Sequence, residues 1–344
     1  MTGAVRLLGA GDIRRIAGRL GVHPTKKLGQ NFVVEPGTVR QIAALAAVRQ
    51  GDVILEVGPG LGSLTLALLE AIAVAGAPMF TDGVCGTAGG AAAGQDRGTG
   101  GAVEAAENDP RGEAHPAVGE RVPVVGPRLV PTRLVAVELD PVLAAQLPKT
   151  IVERAPELGD RVKVLTADAL AVGEKEIGTP LPTVLAANLP YNVAVPVVLH
   201  LLAALPSLER GVVLVQAEVA DRMCAGPGSR VYGVPSAKLA WYAGARLGGT
   251  VPRTVFWPVP NVDSKLVAFT RRDPPQTTAS RQEVFAVIDA AFGQRRKTLR
   301  AALATWAGSP AEAERALRAA NVDPGARGES LTVAEFARIA QFAE

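Results

Sequence analysis

Several features that define other classes of protein are scarce or missing in this sequence. Only two cysteines, Cys85 and Cys224, occur among 344 residues. They are too few and too far apart for a disulfide framework or a zinc site, so a reducing, cytoplasmic setting is expected. No apolar run approaches the ~18 residues that a membrane-spanning helix needs. No metal site is visible.

The charges of the whole chain are almost balanced. Lys and Arg total 36 against 33 for Asp and Glu, which gives a formal net charge of +3. That total alone does not indicate a nucleic-acid partner. Hydrophobic residues make up 48% and charged residues 20%, as in an ordinary soluble globular protein. The length fits one large domain with a smaller one.

Short β-branched runs alternate with helical patterns through most of the chain. This alternation predicts an α/β fold with a doubly wound, mostly parallel sheet. From residue 279 onward the pattern is helical, so we predict a large domain over 1–272 and a helical C-terminal domain over 279–344. An amphipathic helix is also predicted in the N-terminal stretch MTGAVRLLGAGDIRRIAGRLG, for which a transit peptide is the alternative. The predicted strands are 52–58, 133–140, 161–170, 183–191 and 211–219, with helices at 63–74 and 195–205 among them.

One segment, residues 75–130, does not fit this pattern. It contains 12 Gly and 11 Ala among 56 positions and almost no periodic large apolar residues. Such a stretch cannot bury enough surface to offset the entropy lost on ordering. We therefore interpret it as a flexible insertion between the first helix and the second strand. The segment carries a net charge of −3, which leaves +6 on the rest of the chain.

The stretch LEVGPGLGSLT, residues 55–65, predicts a ligand pocket. Gly58 and Gly60 follow a strand and precede a helix, where glycine permits a tight turn and close approach of a ligand to the backbone. Glu138 ends the next strand, where an acid can accept both hydroxyls of a ribose. In dinucleotide-binding folds the corresponding acid lies ~20 residues after the glycines. Removing the insertion leaves about that spacing here.

Asp168 ends the third strand, in TADAL. There it could accept a hydrogen bond from the exocyclic amine of an adenine. The alternative is a helix N-cap, for which Asp is well suited. Gly58, Glu138 and Asp168 lie at three successive strand ends, and ligands of open α/β sheets bind at the carboxyl ends of strands. Their arrangement favours ligand binding.

The tetrapeptide NLPY, residues 188–191, follows another strand. An adenine N6 amine is a poor nucleophile because its lone pair is delocalised into the ring. Hydrogen bonds from both of its protons, to the Asn188 oxygen and a nearby backbone carbonyl, favour a pyramidal, nucleophilic nitrogen. Pro190 restricts the backbone before it, and Tyr191 offers a face on which a flipped-out base can stack. The alternative is a structural turn with a buried tyrosine.

These motifs together resemble the bacterial small-subunit (16S) rRNA adenine N6-dimethyltransferase family. The resemblance implies a seven-stranded, Rossmann-like S-adenosylmethionine methyltransferase fold with a small helical C-terminal domain. The insertion is the main departure from the family pattern. The matching stretches are KKLGQNFVV (26–34), LEVGPGLGSLT (55–65), VAVELD (135–140), TADAL (166–170), ANLPYNVAVPVV (187–198), FWPVPNVDSKL (256–266) and FGQRRKTLRAAL (292–303).

The resemblance also implies site residues and partners. Asn188 and Tyr191 would hold the target base, and Phe256 would stack on its other face, unless Phe256 is simply part of the core. The expected substrate is 16S rRNA within the small ribosomal subunit or its precursor, and a monomer is expected. The implied cofactor-binding residues for S-adenosylmethionine are Asn31, Val33, Gly58, Gly60, Glu138, Asp168 and Asn188.

Four cations near the C-terminus predict an RNA-binding segment. They lie within six residues, which exceeds what a solvated helix face needs. A merely soluble basic face is the alternative. Other functions also remain open: a 23S rRNA or DNA adenine methyltransferase, or a non-catalytic ribosome-assembly factor. The GQNF and QRRKTLR matches argue against the DNA enzyme. The four cations are Arg295, Arg296, Lys297 and Arg300.

Overall fold

A seven-stranded sheet forms the centre of the described part of the chain. The computed structural model describes residues 5–22, 31–75 and 131–342. Most of the segment that we interpreted as a flexible insertion, residues 76–130, lies outside this described part, as does the beginning of the first family motif. The strands are β1 Phe32–Val33, β2 Val53–Val57, β3 Arg133–Glu138, β4 Val162–Thr166, β5 Val184–Asn188, β6 Arg210–Gln216, β7 Ala243–Val251, β8 Phe256–Trp257 and β9 Ser264–Arg271.

The large sheet has the strand order β4-β3-β2-β5-β6-β9-β7. Strands β4, β3, β2, β5 and β6 are parallel, whereas β9 runs antiparallel to both of its neighbours. A separate antiparallel pair joins β1 to β8. The predicted α/β class and the implied seven-stranded methyltransferase sheet are therefore confirmed. The carboxyl ends of β2, β3 and β5 lie side by side at one edge, where ligands of such sheets bind.

Helices cover both faces of the sheet, which explains why its central strands are continuously apolar. Alternate residues of one strand enter different cores: Leu55 packs in one cluster and Ile54 in the other. The helices are α1 Ala10–Leu20, α2 Pro36–Ala46, α3 Ser63–Ala75, α4 Pro141–Arg154, α5 Glu174–Ile177, α6 Ala194–Ala204, α7 Ala217–Cys224, α8 Val234–Tyr242, α9 Arg281–Gly293, α10 Leu299–Ala302, α11 Pro310–Ala319 and α12 Val333–Ala340.

The five predicted strands all end one to four residues earlier than the sequence pattern indicates. The strand predicted over 211–219 stops at Gln216, and α7 begins at the next residue. In the C-terminal region, where the sequence pattern is helical, the stretch RKTLRAALATWA forms only the short helix α10. Its first amide, that of Leu299, donates to the Ala326 carbonyl oxygen at 2.7 Å. A contact with a distant loop thus replaces the hydrogen bond that would extend the helix toward Arg295.

The C-terminal helices pack directly against the rest of the described chain. Trp241 in α8 contacts Phe285 in α9 edge to face, with ring centroids 6.3 Å apart. The Tyr232 hydroxyl donates to the Leu331 carbonyl oxygen at 2.9 Å. Residues 273–280 connect β9 to α9, and the proposed division into two domains there stays a prediction.

No helix in the described ranges is long and apolar enough to cross a membrane. The same residues contain no group of three or more His, Cys, Asp or Glu side chains that could hold a metal ion.

Candidate active site

The glycine-rich turn after β2 has a backbone that only glycine adopts easily. Gly58, Gly60 and Gly62 have φ angles of 68°, 57° and 100°, in the left-handed region that side chains disfavour. At Gly60 an added Cβ would lie 2.8 Å from the Phe32 ring. A side chain at this position would therefore strain the turn and collide with β1. The turn brings bare backbone to the edge of a cleft.

Glu138 connects this turn to the next strand. Its Oε2 accepts a hydrogen bond from the Gly60 amide at 3.0 Å, and its Oε1 accepts one from the Asp140 amide at 3.0 Å. The side chain is buried, and burial raises the pKa of its carboxyl group. Each carboxylate oxygen can accept a further bond. Glu138 is thus held in a fixed orientation with capacity left for hydroxyl donors.

Glu56 is a second buried acid that the sequence analysis did not identify. It lies in β2, two residues before Gly58, and is 1% exposed. Neither carboxylate oxygen has a hydrogen-bond partner among the described residues. Burial raises the pKa of Glu56 to about 8, and the negative charge of Glu138 contributes to this rise. The nearby hydroxyl and amide groups of Thr65 act in the opposite direction and lower the pKa. An acid inside the apolar strand VILEV was the available signal.

The Asn188 side chain is held by a contact from far away in the sequence. Its Nδ2 donates to the Asn31 backbone oxygen at 2.9 Å. Because a carbonyl can only accept, the amide nitrogen must face Asn31. Among the described residues nothing donates to Asn188 Oδ1, which is left as an acceptor on a residue that lines the cleft.

Tyr191 lies beside Asn188 and is fixed by its hydroxyl. The hydroxyl makes a 2.9 Å hydrogen bond with Oγ of Ser264, which is fully buried at the start of β9. Burial raises the pKa of Tyr191. The ring itself lines the cleft, as does Leu189, whose carbonyl oxygen accepts no hydrogen bond within the described part of the chain. NLPY therefore brings the Asn188 acceptor and the Tyr191 ring to the same cavity.

The cleft at this edge encloses about 680 Å³, counting space that is open to solvent. Ser63, at the start of α3, also lines it, and its buried Oγ has no partner among the described residues. Most of the residues that the sequence singled out are brought together here. The lining residues are Asn31, Phe32, Val33, Gly58, Pro59, Gly60, Ser63, Leu64, Glu138, Leu143, Asn188, Leu189, Pro190 and Tyr191.

Two predicted site residues do not line the cleft. Asp168 is exposed at the end of β4, and its Oδ1 accepts from the Leu170 amide at 2.9 Å. It caps a turn, since no helix begins there. Phe256 is 2% exposed and belongs to the apolar core beneath β1 and β8. Phe256 is therefore a core residue in this structure, which was the alternative to base stacking. Stacking on a base would require its ring to leave the core.

The predicted basic segment forms a turn and divides into two kinds of residue. Arg295 pairs with Glu329 at 2.9 Å, and Arg300 pairs with Glu314 at 2.8 Å. Arg296 and Lys297 are exposed, and their side chains have no ion pair or hydrogen bond among the described residues. The expected contact of this segment with RNA phosphates stays a prediction, and two of its four cations, Arg295 and Arg300, are engaged in ion pairs. Their acidic partners lie too far along the sequence to be read from it.

The fold and the cleft define an S-adenosylmethionine-dependent methyltransferase, in agreement with the implied cofactor. The family model described as "Ribosomal RNA adenine dimethylase" matches residues 23–74 and 125–344. The chain belongs to this family, so its substrate is ribosomal RNA. The family model passes over residues 75–124, which coincide with nearly all of the predicted insertion.

Curated relatives match almost the entire chain. One named "Ribosomal RNA small subunit methyltransferase A" from Thermobifida fusca is 52% identical over 336 residues, covering 98% of this chain and 96% of its own. Another of the same name from Kineococcus radiotolerans is 53% identical over 334 residues, covering 97% and 91%.

Solved structures share the fold at low sequence identity. A dimethyladenosine transferase from Plasmodium falciparum superimposes with a TM-score of 0.59 at 18% identity, covering 89% of this chain and 94% of its own. The 23S rRNA methyltransferase ErmE gives a TM-score of 0.54 at 20% identity, covering 91% and 99%.

The residues present in the cleft fit S-adenosylmethionine. The Ser63 hydroxyl, which has no partner among the described residues, lies at the amino end of α3 and suits the carboxylate of the amino-acid part of the cofactor. The oriented Glu138 carboxylate suits the ribose hydroxyls. The bare backbone at Gly58 and Gly60 allows close approach of the ligand.

Glu56 should make the stability of the cofactor-free protein depend on pH. Because its folded pKa of about 8 exceeds its ordinary value of 4.5, the folded state holds a proton that the unfolded state has lost. Stability should therefore fall as pH rises from about 4.5 to about 8. Glu56→Gln should remove a loss on the order of 3–5 kcal/mol, measured by chemical denaturation across this range. Exposed Glu174→Gln is the control, and identical pH profiles for wild type and Glu56→Gln would contradict the assignment.

Proposed function

We propose that this protein transfers methyl groups from S-adenosylmethionine to N6 of two adjacent adenines near the 3′ end of 16S rRNA, within the small ribosomal subunit or its precursor. The relatives named for the small subunit support this substrate. The protein would work in the cytoplasm as a monomer. A role in small-subunit biogenesis can accompany the catalysis.

The observation that carries the proposal is the orientation of Asn188. Its nitrogen is committed to the Asn31 carbonyl, so its oxygen is the atom offered to a ligand. The backbone carbonyl of the neighbouring Leu189, a residue that also lines the cleft, would be the second acceptor. Two acceptors match the two protons of an adenine amine. Guanine and cytosine also carry an exocyclic amine, but on a ring with different substituents. The description of the matching family specifies adenine.

The chemistry assigned to these residues is positioning of the target nitrogen. When the two oxygens accept hydrogen bonds from both protons of the N6 amine, the N6 lone pair is drawn out of conjugation with the ring. Bound S-adenosylmethionine supplies an electrophilic methyl group attached to a sulfonium. As N6 gains the methyl group, it releases one proton, which solvent can take. Preorganised acceptors of this type act without a strong general base.

Tyr191 would hold the base while this occurs. Its ring lines the cleft next to Asn188 and is fixed through Ser264. A flipped-out base stacked on such a ring gains ~1–3 kcal/mol. Pro190 restricts the backbone between the two side chains, which keeps acceptor and ring in register.

Product mapping tests the proposal. Wild-type protein and S-adenosylmethionine should convert small subunits that lack the modification into subunits with two adjacent N6,N6-dimethyladenines near the 3′ end of 16S rRNA. Mass spectrometry of RNA fragments identifies the positions. Methylation of 23S rRNA instead would contradict the proposal and indicate a 23S rRNA adenine methyltransferase. Binding to subunits without any methyl transfer would contradict it too and indicate a non-catalytic ribosome-assembly factor.

Variants of Tyr191 should separate the ring from its hydroxyl. Tyr191→Phe should keep most of the single-turnover rate but lower stability by about 1–3 kcal/mol, because Ser264 loses its buried partner. Tyr191→Ala should lose most of the rate, since the base has no face to rest on. The control is Tyr191→Phe combined with Ser264→Ala, which should restore stability. Equal rates for the Phe and Ala variants would rule out stacking.

A basic surface formed by three loops is proposed to bind the RNA backbone. The Arg295 guanidinium donates to the Arg230 carbonyl oxygen at 2.6 Å and thereby joins two of the loops. Arg230, Arg296, Lys297 and Arg327 are exposed around this junction and lack side-chain partners among the described residues. Arg295 is thus a positioning residue, and the unpaired cations are the candidates for phosphate contacts.

Removing two of these cations should weaken subunit binding and its dependence on salt. Each phosphate contact contributes about 0.7–0.9 to the slope of log affinity against log salt. Arg296→Gln with Lys297→Gln should therefore lower the slope by about 1.4–1.8 without changing the melting temperature. The matched control is Arg133→Gln with Lys175→Gln, two exposed cations near the amino ends of the strands. A slope equal to that of the control would exclude this surface.

A further inference from the structure

Helix α1 presents an arginine-rich face that the site described above does not use. Ile13 and Ile16 on its inner face are buried in the core. Arg14, Arg15 and Arg19 are exposed on its outer face. The helix is therefore bound firmly to the protein on one side and strongly cationic on the other.

Most of these charges are not neutralised by any of the residues that the structure describes. Asp12 is the only acid in residues 5–22. Its Oδ1 accepts from Arg154 Nη2 at 2.7 Å and from Arg15 Nη2 at 3.0 Å, and its Oδ2 caps the helix. Arg14 and Arg19 have no ion pair or hydrogen bond among the described residues. Two guanidinium groups are thus available to an external anion.

The outer face also contains two glycines that packing does not require. Gly11 and Gly18 are exposed, and a Cβ added to either would meet nothing within 4 Å. Glycine within a helix costs about 1 kcal/mol relative to alanine. Because glycine has no side chain, a bulky partner can approach the helix backbone closely between the arginines.

Helix α1 lies a short distance along the chain from the cleft but outside the residues that the family model matches. The Arg6 amide donates to the Arg154 carbonyl oxygen at 3.0 Å, which fastens this segment to the end of α4. Asn31, which lines the cleft, comes nine positions after Val22 in the sequence, so the Cα atoms of these two residues are at most ~30 Å apart. The family match begins at residue 23, so it assigns no role to α1.

We propose that the outer face of α1 is a second RNA-binding surface, which contacts phosphates of the ribosomal RNA through Arg14 and Arg19. Guanidinium groups bind phosphate in a bidentate manner, and the glycines allow the sugar–phosphate backbone to come close. Arg15, although paired with Asp12, adds to the positive potential. The inference rests on the proposed rRNA substrate, and it adds an anchor separate from the C-terminal basic surface.

The test compares binding of the intact protein to small subunits that lack the modification. Arg14→Gln with Arg19→Gln should weaken binding and lower the salt slope by about 1.4–1.8, with unchanged melting temperature and cofactor affinity. Arg133→Gln with Lys175→Gln is again the control. Gly11→Ala with Gly18→Ala should raise the melting temperature and still weaken binding, because the methyl groups hold the RNA backbone away.

The outcomes separate this inference from the proposed function. Wild-type methylation of the two adenines tests the function regardless of what α1 does. A salt slope and affinity of the Arg14/Arg19 variant equal to those of the control would overturn the inference. Weaker binding with an unchanged salt slope would also overturn it, since that result indicates a protein neighbour instead of RNA phosphate.

Discussion

The hydrogen bond between the Asn188 side chain and the Asn31 carbonyl is the contact on which the active site depends. It joins residues 157 positions apart. Asn31 precedes β1, and β1 is held in place by pairing with β8. The orientation of one side-chain oxygen therefore depends on a small two-stranded sheet beside the large one. The glycine turn depends on the same element, because the Phe32 ring occupies the space next to Gly60.

Features that arise from local patterns and strand ends could be predicted from the sequence. The glycines at 58 and 60 follow a buried strand, and parallel strands bring their carboxyl ends to one edge, so Glu138 was placed correctly beside them. Here the Gly60 amide bonds directly to Glu138. The predicted insertion did not disturb this inference, because β2 and β3 pair as neighbours despite the residues between them.

Features that depend on distant partners could not be predicted. The role of Arg295 changes because Glu329 lies 34 residues away. Phe256 is buried because β8 pairs with β1, a contact that no periodicity reveals. The acid within VILEV marks Glu56 as unusual in the sequence, but its nearly complete burial follows only from the helices that cover both faces of the sheet. In each case tertiary packing decides the surroundings of the side chain.

The single-turnover rate of Asn188→Ala tests the central claim most directly. If the Asn188 oxygen prepares the target amine, its removal should slow methyl transfer by ~10²–10³, an effect much larger than any loss of subunit binding, cofactor binding or melting temperature. A variant with wild-type stability and wild-type turnover would contradict the account. A loss of rate that only parallels a loss of stability would equally contradict it, since it would reduce NLPY to a structural turn.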